Sequence, residues 1–113
     1  MRFLALFTAI AFALPVWGLT EEAREFMKIT GELEPVQCEK RKLRRAIALA
    51  EVERRDDEVR SLRQRFASLD RDPKTARLER RLAQLQPRLE KSPDAEDLKA
   101  IDRQRVEAFY RCE

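Results

Sequence analysis

Histidine is absent from the 113 residues, and glycine occurs only twice. Without histidine, the usual partner that activates a serine or cysteine nucleophile is missing. Cysteine is nearly as scarce: Cys38 and Cys112 stand alone, too far apart in sequence for a C-x-x-C redox motif and too few for a zinc site. Carboxylates are plentiful, but no apolar pocket is suggested that would shift their acidity. These absences predict a protein that is not an enzyme and has no cofactor or metal. An excess of one charge is missing too. Against 24 Lys and Arg stand 21 Asp and Glu, a net charge of +3. A near-balanced, densely charged chain suits a solvated helical surface better than a nucleic-acid-binding module.

After residue 18 there is no long apolar run. Before it there is one: Arg2 is followed by FLALFTAIAFALPVW, closed by Gly18. A basic start, an apolar middle and small or uncharged residues near a cut site read as a secretory signal peptide over residues 1–18, with Val16 and Gly18 at the −3 and −1 positions and cleavage after Gly18. The expected location is therefore the periplasm of a bacterial cell envelope. The alternative is an uncleaved inner-membrane anchor facing the periplasm, although the run sits at the short limit for spanning a bilayer. In an exported chain, two cysteines imply one disulfide, Cys38–Cys112.

Alanine, leucine, arginine and glutamate dominate the rest, all good helix formers. Residues 19–35 read as a short helix and linker: Thr20 caps TEEAREFMKI, and Gly31 with Pro35 end it. Val36 to Leu69 is free of glycine and proline and reads as one long helix. LDRDPKT, residues 69–75, interrupts it. The second arm follows, broken between Pro87 and Pro93, with Ser92 as the expected N-cap and Pro93 as the first residue of a last helix.

The stripes Val59, Leu62, Phe66, Leu69 and Leu78, Leu82, Leu85, Leu89 have mirrored three-and-four spacings about LDRDPKT. The same pairing extends to Ala50/Leu98, Ile47/Ile101, Leu43/Val106 and Cys38/Cys112. The expectation is an all-α fold: an antiparallel helical hairpin over residues 36–113 with its tip at LDRDPKT, a short N-terminal helix covering the cysteine end, and one disulfide as clamp. In this register Glu53–Asp57 would form a polar waist. Asp70 and Asp72 have calcium-loop spacing, but Arg81 stands where a bidentate glutamate belongs, so a turn is the better reading.

Two groups could contact a ligand. Lys40, Arg41, Lys42, Arg44 and Arg45 cluster around Leu43. Read as a site, they suit an anionic ligand, with anionic lipid preferred to nucleic acid; read structurally, they are a solvated helix face whose stems cover apolar surface. Phe109 and Tyr110, beside Cys112, suit either packing around the disulfide or contact with a protein partner. The function expected is a non-enzymatic protein-interaction or scaffold module of the envelope, with an envelope protein as partner and a homo-oligomer invited by the half-covered leucine stripe. The alternatives are a membrane-tethered structural rod and a small periplasmic chaperone or stress protein.

Overall fold

A computed structural model describes residues 18–91 and 93–112, so the signal-peptide expectation lies outside the described residues. The described chain is all helical: α1, Glu21–Val52; α2, Asp56–Arg71; α3, Pro73–Lys91; α4, Ala95–Arg111. None of the described helices is long and apolar enough to cross a membrane. The disulfide forms between Cys38 and Cys112.

A helical hairpin is present, but its tip is not at LDRDPKT. The chain reverses at Glu53–Arg55, between α1 and α2. Glu53 caps α1, Arg54 adopts φ 55°, and the N–H groups of Arg54 and Arg55 return to the carbonyls of Glu51 and Ala50 at 3.1 and 2.9 Å. This crossed pair of bonds is the Schellman arrangement, which satisfies the last carbonyls of a helix through one left-handed residue. That residue is ordinarily glycine, so a sequence without glycine here gave no warning. The polar waist anticipated at Glu53–Asp57 is thus the turn itself.

The arms that face each other lie roughly equidistant in sequence from Arg54. Leu43, Ala50, Val59 and Leu62 form one core cluster, flanked by Ala46, Ile47, Phe66 and Leu69, where α1 meets α2. Further along α1, Ile29 and Leu33 pack on Leu85, flanked by Phe26, Leu78 and Leu82 of α1 and α3. The expected pairs Leu62/Leu85 and Leu43/Val106 are therefore not made. The mirrored stripes both face α1 instead of each other, which a leucine count cannot distinguish.

LDRDPKT is a joint within the second arm. Asp72 is the only residue between α2 and α3. Its carboxylate accepts from the backbone N–H and hydroxyl of Thr75 at 2.9 and 3.0 Å, capping α3 with Pro73 in the first turn. These bonds hold its pKa below the usual carboxylate value, helped by Lys74 and Arg77. The turn expected at LDRDPKT is therefore a helix-capping junction, which redirects the chain by less than a reversal.

The expected stop at Gly31–Pro35 is also absent, because α1 runs through both. Proline inside a helix removes one hydrogen bond and crowds the carbonyl four residues back, a cost of roughly 3 kcal/mol. Here that residue is Gly31. Packing on both sides of α1 offsets the cost, with Leu33 buried against α3 and Cys38 bonded to α4. Pro87 behaves alike: α3 passes through it, held by buried Leu85 and Leu89 on either side.

After Lys91 the chain reverses a second time, and α4 runs parallel to α1. Its N-cap is Asp94, whose carboxylate accepts from the N–H groups of Glu96 and Asp97 at 2.9 and 3.2 Å. Pro93 is therefore outside the helix, and Ser92 lies outside the described residues. Ala23, Leu89 and Ile101 join α1, α3 and α4 in a third cluster, with Phe26 and Met27 against it. The separate N-terminal helix expected to cover the cysteine end is the first half of α1. Phe26, Ile29 and Leu33 face α3 rather than the disulfide.

Candidate functional site

α1 is the central element. Its face carrying Ile29, Leu33, Leu43 and Ala50 meets α2 and α3, while the opposite face, about half a turn away at 3.6 residues per turn, meets α4. Along this second seam Thr20 binds Asp97, Met27 binds Gln104, and Cys38 binds Cys112. The Asp97 carboxylate, 2 % exposed, accepts from the Thr20 N–H at 2.9 Å and the Thr20 hydroxyl at 2.6 Å. The Gln104 amide nitrogen donates to the Met27 carbonyl at 2.7 Å, which fixes the amide orientation, and its oxygen is buried with no partner among the described residues. A Cβ at Gly31 would stand in ordinary contact with the Gln104 nitrogen, at 3.7 Å.

Beside the disulfide the seam opens into a groove of about 350 Å³, lined by Gly31, Glu34, Pro35, Gln104 and Arg111 with both half-cystines. Among the described residues no cluster of three or more His, Cys, Asp or Glu could hold a metal ion.

The basic cluster divides. Lys40 is not part of a solvent-facing patch. It is 6 % exposed and sits at the joint of α2 and α3, bonded to Asp70, 3.5 Å from Glu79 and 5.5 Å from the Phe66 ring centre. It faces the C-terminal end of α2, where a cation is favoured. Burial pulls the Lys40 ammonium towards neutrality, but the bond to Asp70 and the charge of Glu79 outweigh it and hold its pKa above the usual 10.5. Asp70 is thereby spent on Lys40, and Asp72 on capping.

Arg44 also lies over Phe66, 5.1 Å from the ring centre, and covers apolar surface, as the structural reading anticipates. Arg41 pairs with Glu34 at 2.6 Å and lies 6.0 Å from the Phe109 ring centre. Lys42 and Arg45 are exposed, and among the described residues they join no ion pair.

Phe109 and Tyr110 are 59 and 77 % exposed, so they do not pack around the disulfide. Their rings meet edge to face at 5.4 Å. Arg41 brings the basic and aromatic groups together at the stapled end of α4. Around the turn, Arg55 binds Glu53 and Glu58, Arg60 binds Asp57, and Glu51 binds Arg63 at 2.5 Å. Glu107/Arg111 forms at 3.7 Å. Sequence reasoning missed the buried Asp97 and the half-buried Gln104. Both are polar residues on a helix rich in exposed charge, and only the parallel register reveals that they face α1.

No family model, curated protein or solved structure matches the chain.

Proposed function

We propose that the protein is an exported, non-enzymatic interaction module of the bacterial periplasm that binds a protein partner through its stapled end. The observation that carries this reading is the pair Phe109–Tyr110, largely exposed on a helix pinned covalently beside it, with the Arg41 guanidinium against the first ring. Aromatic and arginine side chains dominate the energetics of protein interfaces, and rigid placement lowers the entropy lost on binding. The apolar run after Arg2 and the disulfide support export to an oxidising compartment.

Affinity capture from envelope extract, comparing the natural chain with F109A/Y110A, tests the reading. A partner recovered by the first and lost by the second is the expected result. Identical recoveries would remove the aromatic pair from any interface. A second reading, a holdase for unfolded clients, draws on the exposed apolar residues of α4, Leu98 and Val106 beside the aromatic pair. Suppression of client aggregation that F109A/Y110A abolishes would favour it.

A further inference from the structure

The seam between α1 and α4 stops before α1 does. It ends at the Cys38–Cys112 bond, yet α1 continues to Val52, a further length of about 20 Å at 1.5 Å per residue. Carrying the helical phase of Thr20, Met27, Glu34 and Cys38 onward in steps of four and three leads to Lys42, Arg45, Leu49 and Val52. All four are exposed, Leu49 by 51 % and Val52 by 82 %, whereas the opposite face of the same turns is buried against α2. α1 is thus flanked on two sides in its first half and on one side in its second.

We infer that this uncovered stretch of α1 docks an amphipathic helix of a protein partner, acidic along its edges, lying in line with α4. The inference deepens the interaction reading above and rests on it. Leu49 and Val52 supply the apolar contacts that a helix with three-and-four spacing would cover. Lys42 and Arg45 supply unmatched positive charge. The carboxylates near them are engaged elsewhere: Glu34 with Arg41, Glu39 with Arg65 and Glu51 with Arg63. Phe109, held at the near end under Arg41, extends the surface towards the partner.

A second copy of the chain is the poorer occupant. Two such faces packed in parallel would bring together Lys42 and Arg45 of both copies, and packed antiparallel would set them against Val52 and Leu49; neither arrangement offers them a free carboxylate. An anionic bilayer is disfavoured by Asp56, which begins α2 at the tip and joins no ion pair among the described residues; Asp57 and Glu58 beside it pair with Arg60 and Arg55.

The test uses the full oxidised chain and two labelled synthetic helices about four turns long. Both carry leucine at three-and-four spacing; one has glutamate on its flanks, the other lysine. Fluorescence anisotropy should show saturable binding of the glutamate peptide. K42E/R45E should weaken it by about tenfold or more and transfer preference to the lysine peptide, and L49A/V52A should weaken both. All four side chains are exposed, so far-UV circular dichroism should be unchanged. Equal binding of the two peptides, or none, overturns the proposal. So does a dimer by light scattering that L49A/V52A dissociates, or sedimentation with phosphatidylglycerol vesicles that K42E/R45E abolishes. If F109A/Y110A loses its captured partner while the glutamate peptide fails to bind, only the chemistry assigned to the partner falls. If capture is indifferent to F109A/Y110A, the interaction reading falls with it.

Discussion

The Cα atoms of Cys38 and Cys112 stand 5.5 Å apart on two helices that run in the same direction. Few apolar side chains hold α4 otherwise: Ile101 and Ala108 are buried, while Leu98, Val106 and Phe109 are not. The bond closes a loop with a sequence separation of 74, which the chain-entropy model values at roughly 4 kcal/mol. Reduction, or C38S/C112S, should lower the melting midpoint and speed amide exchange in α4 more than in α1 or α2. An unchanged midpoint would contradict this.

Arg54 occupies a left-handed conformation at φ 55°, which disfavours any side chain by roughly 1–2 kcal/mol. Arg54→Gly should therefore stabilise the fold by about 0.5–1 kcal/mol, after allowing for the added freedom of glycine in the unfolded chain. Arg54→Val should destabilise it. Urea denaturation of the three proteins gives the order directly.

Lys40 links stability to alkaline pH. Its pKa is raised by folding, so its contribution is complete below the unfolded value of 10.5 and is lost as pH rises from there through the folded value. Melting midpoints should fall across that range, and Lys40→Met should flatten the decline. At neutral pH, Lys40→Ala should cost about 1–2 kcal/mol, less than a fully buried pair, because Asp70 and Glu79 are half exposed.

Thr20 and Asp97 tie the start of α1 to the first turn of α4. Asp97→Ala removes two bonds to a buried carboxylate and should cost about 2 kcal/mol. Thr20→Ala also removes the cap on the Ala23 N–H at 3.2 Å and should cost a comparable amount. A double-mutant cycle should return a coupling of about 1 kcal/mol or more; strict additivity would mean that the two side chains act independently.

Helix content and the disulfide were legible from composition and cysteine count; Asp72 was legible as a break between helices, but not as the cap of α3. The register was not. Val59–Leu69 and Leu78–Leu89 have mirror-image spacing because both stripes follow the same helical period along one partner, α1. Mirror symmetry about LDRDPKT was therefore no evidence that they face each other. The true reversal at Arg54 carries neither glycine nor proline. The cysteine pairing survived the wrong register because a parallel α4 reaches Cys38 as well as an antiparallel arm would. Within the site, exposure of Phe109 and Tyr110 could not be read from sequence, since an aromatic pair at a helix end is equally suited to packing. Lys40 was misplaced because its nearest neighbours in sequence are exposed arginines, whereas its neighbours in space come from the joint of α2 and α3.

A three-residue turn at Arg54 brings α1 and α2 together at little entropic cost, whereas α4 must find its place across most of the chain. Assembly should accordingly be sequential, with the first two helices zipping early and the last arriving late. A newly made chain in a reducing compartment would then already own its hairpin, and oxidation would act as the final latch.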